Sequence, residues 1–132
     1  MKKVQIFILM LILSSFTMAV YSQTPATWKE MEEFHAVMSS SFHPADEGNF
    51  KPLRENATDL LTKAKAWQKS AVPEGYNATM TKDVLKRLTK HCTIVKNAVN
   101  NNKTDADLKK LITEAHEIFH EIKEKCRTTE TK

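Results

Sequence analysis

The sequence predicts an all-α domain, an antiparallel up-down-up-down four-helix bundle. Three observations carry that expectation. Glycine and proline are scarce, 2 and 4 in 132 residues, among abundant Ala, Leu, Lys and Glu, which favours helices over sheets. Apolar residues recur at alternating intervals of three and four in four separate runs, which places each run on one helix face. The breaks between the runs are short, and short connectors set neighbouring helices of a bundle in opposite directions.

The first run is Trp28, Met31, His35, Met38 and Phe42, a stripe with a histidine at its centre. It is expected to end at His43, because Pro44-Ala45-Asp46-Glu47-Gly48-Asn49 reads as a connector. The second run, Leu53, Ala57, Leu60, Ala64, Trp67 and Ala71, stops at Val72-Pro73-Glu74-Gly75. The third carries Leu85, Leu88, Cys92, Val95 and Val99 and ends in Asn100-Asn101-Asn102. The fourth starts at Thr104 or Asp105, either of which suits an N-cap, and shows Leu108, Leu111, Ala115, Phe119, Ile122 and Cys126. No repeat of solenoid length and no low-complexity tract interrupts the pattern.

Ahead of these runs, MKKVQIFILMLILSSFTMAVYSQ has the layout of a cleaved secretory signal: two lysines, an apolar stretch, then small residues before Gln23. Residues 1–22 are read as the signal, cut after Ser22, and 23–132 as one domain. The competing reading, a membrane anchor, asks for roughly 20 apolar residues, and this stretch is shorter and broken by Ser and Thr. Removing 22 of 132 residues leaves 110, enough for one modest core. Of the 20 basic residues two leave with the signal, so against 16 acidic residues the remaining charge is +2. Without a basic stripe interleaved with aromatics, nucleic acid is not an expected partner. The expected location is periplasmic or secreted, with no membrane span after cleavage, as a monomer or homodimer.

Export also raises the question of a disulfide. If the third and fourth helices pair around Asn102, Cys92 and Cys126 lie about 21 Å apart along the bundle, well beyond the roughly 7 Å that a bridge allows between Cα atoms. Two free thiols are expected. The Asn-x-Thr triplets at Asn56, Asn77 and Asn102 are glycosylation acceptors only in a eukaryotic secretory route.

Five histidines hold the functional signal. His116 and His120 are separated by four residues, one helical turn, and can grip one ion from one face. If Trp28 is level with Cys126 in the bundle, His35 falls level with Phe119 and Met38 with His116. His35, Met38, His116 and His120 then share about one turn of height, 5.4 Å. Neutral imidazoles hold Cu, Zn, Ni or Co, and a thioether suits Cu(I). His35, His116 and His120 are therefore the candidate metal ligands, with His43 or Met38 as the outer partner. His43 belongs to a Phe-His dipeptide that repeats His35's, Phe34-His35 and Phe42-His43. The bland alternatives stand beside this one. His116 and His120 lie roughly 100° and 140° from Ala115 on the helical wheel and can face solvent, His35 can be a core imidazole hydrogen-bonded to a neighbour, the methionines can be core filler, and His91 is expected on a flank facing water. No nucleophile motif, phosphate-cradling loop or paired carboxylates point to an enzyme.

In length, helix order and the proline-containing middle connector, the chain resembles the superfamily of cytochrome c-prime and the soluble periplasmic cytochrome b proteins. The most specific points are Trp28-Lys29-Glu30-Met31-Glu32 near the start and Ile118-Phe119-His120 near the end. The resemblance implies a haem b electron carrier in which Met31 and His120 are the axial ligands. Covalent members carry CxxCH on the last helix, and here His116-Glu117-Ile118-Phe119-His120 has neither attachment cysteine. The extra His35 and His116 look more like a relative whose haem site has become a metal-ion site. Three readings follow: an exported, non-catalytic binder of a transition-metal ion, with a redox or metal-transfer partner unspecified; a haem b carrier; or a helical interaction module without a ligand.

Overall fold

The computed structural model describes residues 27–128. The expected signal and its cut after Ser22 lie outside the described residues. Four helices form the bundle: α1 (Lys29–Asp46), α2 (Lys51–Lys69), α3 (Ala78–Asn100) and α4 (Asp105–Lys125). Each packs on the next in sequence, and α1 also meets α4 along the most open of the four seams. Among the described residues, no helix is long and apolar enough to cross a membrane.

The helix ends follow from local chemistry. Thr104 caps α4 by accepting a hydrogen bond from the Asp107 N–H, and Asn77 caps α3 by accepting from the Met80 N–H, each satisfying a donor that the first turn leaves free. At the end of α3, Asn102 takes a left-handed φ of 51°. The Lys103 and Asn102 N–H groups then donate to the Ala98 and Val99 carbonyls, a Schellman closure. The end of α1 repeats this device with Gly48 at φ 92°, Asn49 donating to the Pro44 carbonyl and Gly48 to that of Ala45.

That closure corrects the expected end of α1. The helix runs through Pro44 to Asp46, because a proline in the last turn costs only the N–H that would reach the Ser40 carbonyl, while Ala45 beyond it is fully buried.

The buried face of α1 is also rotated from the expected stripe. Met31, Phe34, Met38, Ser41 and Ala45 point inward, and His35 and Phe42 lie on the edge of that face, half-buried. Ser41 tolerates full burial because its hydroxyl donates to the Val37 carbonyl at 2.8 Å. In α3 and α4, Ala98 and Ile112 are buried where Val99 and Leu111 were expected. The remaining core positions of the four stripes are inside as the periodicity requires, apart from Ala71, which is exposed.

An aromatic group fills the core between α1, α2 and α4. Trp67 stands edge-on to Trp28 at 5.5 Å and to Phe119 at 5.9 Å, and Phe34 bridges Trp67 and Phe119 at 5.4 and 5.8 Å. The Trp28 indole N–H donates to the Ser70 hydroxyl at 2.9 Å. The connector between α2 and α3 is tied to the residues that follow α4 by the Asn77 N–H on the Cys126 carbonyl and the Thr128 N–H on that of Gly75. Cys92 and Cys126 are both buried free thiols, as their expected separation required.

Candidate functional site

The α1–α4 seam gathers four histidines. His35 and His43 come from α1, His116 and His120 from α4, and each helix adds a phenylalanine, Phe42 and Phe119. The His35 ring lies flat on Phe119, centroids 4.9 Å apart and planes 10° apart. The Phe42 ring lies flat on His116 at 3.9 Å and 9°. The two stacks are reciprocal: a phenyl of each helix covers an imidazole of the other. The seam is wide enough for them because α1 and α4 approach each other less closely than the other helix pairs.

His116 and His120, one turn apart, turn their Nε2 atoms toward each other at 3.2 Å, with ring planes 80° apart. On its other side His120 presents Nδ1 to the Glu124 carboxylate at 3.4 Å. A carboxylate at Nδ1 favours the tautomer with its proton there, which leaves the Nε2 lone pair bare and facing His116. A hydrogen bond across this gap needs a proton on one Nε2 and a lone pair on the other. An ion fits the same gap, since two nitrogens each about 2.0–2.1 Å from one tetrahedral ion stand about 3.3 Å apart. The spacing is compatible with two ligands of a single ion as well as with a hydrogen bond between the rings.

The electrostatics favour the neutral, ligating form. Burial, and then the nearby charges of His120, His43 and His35, hold the His116 imidazole below the ordinary histidine value. His35 is lowered by burial and by Lys123, with Glu32 pulling the other way and His120 and His43 adding to the depression. His43, exposed at the last turn of α1, has its ring centroid 6.3 Å from that of His116. Among the described residues, no three of His, Cys, Asp or Glu are already converged on one point. The His116 and His120 Nε2 atoms approach each other as a pair, with no third such group beside them among the described residues.

The sulfur candidates go elsewhere. Met38 is fully buried with the core, and the Met31 sulfur accepts from the Tyr76 hydroxyl at 3.9 Å. For haem b this arrangement is a poor fit. Met31 and His120 are engaged by Tyr76 and His116, and Phe34, Trp67 and Phe119 pack against one another in the core beside them, so a macrocycle would have to displace packed rings.

His91 does not face water as expected. Its Nε2 lies 2.9 Å from the Leu111 carbonyl and 3.5 Å from Glu114, with the side chain 14% exposed, so it is a strut between α3 and α4. The residues that sequence reasoning missed at the seam are Glu124, Phe42 and Phe119 in their supporting roles. Glu124 had a signal, its spacing of four from His120. The phenyl stacks had none beyond the repeated Phe-His dipeptide.

Comparison of the chain with protein-family models, with curated proteins and with solved structures yields no match.

Proposed function

We propose that this chain is an exported, periplasmic or secreted, non-catalytic protein that binds a transition-metal ion, Cu, Zn, Ni or Co, through histidines of the first and last helices. Its bundle runs up-down-up-down, an antiparallel order supported by contacts such as His35 with Phe119 and Phe42 with His116. The observation that carries the reading is the 3.2 Å approach of the His116 and His120 Nε2 atoms. That pair forms the floor of the site. His35 and His43 are the candidates for the positions above it, Met38 being enclosed in the core, and exchangeable ligands fill what they leave open. The signal-like N-terminal residues support export.

The experiment is equilibrium dialysis against each ion followed by elemental analysis, on the protein and on a His116→Ala plus His120→Ala variant. The reading expects close to one ion per chain, lost in the variant. Equal retention by both proteins rejects it. A Soret band in protein grown with haem would reject it in favour of the haem carrier with Met31 and His120, and the absence of both ions and haem would leave a ligand-free interaction module.

A further inference from the structure

A bound ion at the His116–His120 pair has two protein donors, and the seam offers two more imidazoles, one from each end of the exposed edge of α1. Resting on the metal-binding reading, we propose that the third ligand is His43, swinging in from the last turn of α1, and that the resulting three-imidazole site takes a divalent ion in preference to Cu(I).

Geometry separates His43 from His35. In an imidazole bound through Nε2 the ring centroid lies about 3.2 Å from the ion, so two rings on one tetrahedral ion have centroids about 5 Å apart. His43 and His116 stand at 6.3 Å, with planes 69° apart. The shortfall is about 1 Å, within the reach of a side-chain rotamer change. His43 is free to make it, being exposed and only edge-on to Phe42, at 5.4 Å and 65°. His35 is placed differently. It is half-buried and lies flat on Phe119 at 4.9 Å, so turning toward the ion would break that stack and open the side of the aromatic core. Eight residues separate the two histidines, about 12 Å along the helix, so a single ion can be served by one of them and not both. His35 is a packing residue whose neutral ring keeps the seam closed beside the site.

The class of ion follows from what the site lacks. Imidazole suits Zn, Cu(II) and Ni, whereas Cu(I) seeks thiolate and thioether. The sulfurs of the core are withdrawn. Met38 and both cysteines are fully buried, burial pushes the Cys92 thiol up to about 12, and Met31 is held by Tyr76. The fourth position of a tetrahedral ion is left to water, which an incoming ligand can replace.

The test uses Cu(II) as the probe, with pulsed electron paramagnetic resonance to count coordinated imidazoles and a competing chelator to measure affinity. The proposal expects three imidazoles in the protein and in His35→Ala, and two in His43→Ala. The His43→Ala affinity should fall at least about ten-fold, the least that loss of even an outer-shell partner costs a metal site. Circular dichroism should show both variants folded. An unchanged count and affinity in His43→Ala, or loss of an imidazole in His35→Ala, overturns the ligand assignment. Tighter binding of Cu(I) than of Cu(II) or Zn, with copper–sulfur scattering in X-ray absorption, overturns the ion class. Undiminished Cu(II) binding in the His116→Ala plus His120→Ala variant is a separate failure, that of the metal-binding reading itself.

Discussion

The Phe42 phenyl lies flat against the His116 imidazole, 3.9 Å between centroids and 9° between planes. Such a stack fixes the plane of the imidazole, and within that plane Nε2 lies toward His120. Phe42→Ala is therefore expected to weaken ion binding by about ten-fold, the scale of an outer-shell loss. Because Phe42 is only half-buried, the stability cost should be about 1–3 kcal/mol, below that of a core phenylalanine. Phe42→Leu, which restores volume without a flat face, should recover stability and not affinity. Chelator competition and urea unfolding on the two variants separate these effects.

Glu124 acts through His120. Its carboxylate stands 3.4 Å from Nδ1, and both side chains are well exposed, 42% for His120 and 69% for Glu124. Glu124→Gln should change folding stability by less than about 0.5 kcal/mol, as surface changes do, yet lower ion affinity about 10- to 100-fold by releasing the ring's tautomer and orientation. Equal affinity in the variant would remove Glu124 from the site.

Acid should loosen the fold and the ion together. The folded-state values of His35 and His116 lie below the ordinary one, so between those values and about 6.5 the unfolded chain binds more protons than the folded one. Their contribution to stability is present above about pH 6.5 and is lost as pH falls from there through the folded values. The urea midpoint should fall between pH 7.5 and pH 5.5, and a His35→Gln plus His116→Gln variant should show a flatter profile. Ion release should occur below the pH at which an unperturbed histidine pair would let go, because protons compete less well for His116.

Phe119 is the hub where seam and core meet. Its ring packs on Phe34 and Trp67 and under His35, and Lys123 lies 5.9 Å from its centroid. Phe119→Ala should destabilise the protein by about 3–5 kcal/mol, the cost of truncating a core phenylalanine, as measured by the urea midpoint. In Cys92→Ser the cost comes instead from burying a hydroxyl. In the native protein neither thiol should react readily with a disulfide reagent, since both are buried and burial raises both. Full reaction of two thiols on adding denaturant is the expected count.

Much of the fold was legible in the chain. Thr104 as a cap, the turn at Asn102 and the separation of the two cysteines needed only local chemistry and helical rise. The face of α1 did not. Steps of three and four starting at Trp28 fit His35 and Phe42, and the same steps through Met31, Phe34, Met38, Ser41 and Ala45 fit equally well. What decides is the opposite helix, where Phe119 accepts Phe34 on its core side and His35 on its outer side. Pro44 misled for a similar reason, since the Gly48 closure and the buried Ala45 outweigh the one bond it removes. The histidines were legible as a coincidence of level, with His35 beside Phe119 as the assumed register required. The Nε2 convergence was legible only in part: the spacing of four puts His116 and His120 on one face, but the ring orientations depend on Phe42, which comes from another helix.

The measurement closest to the metal-binding claim is a long-range proton–nitrogen correlation spectrum of the histidine side chains during titration with Zn. The account predicts that the Nε2 resonances of His116 and His120 move together to metal-bound positions at one equivalent, with Nδ1 of His120 protonated. Resonances of both rings that stay where they were in the free protein, while Zn is present in excess, would contradict it.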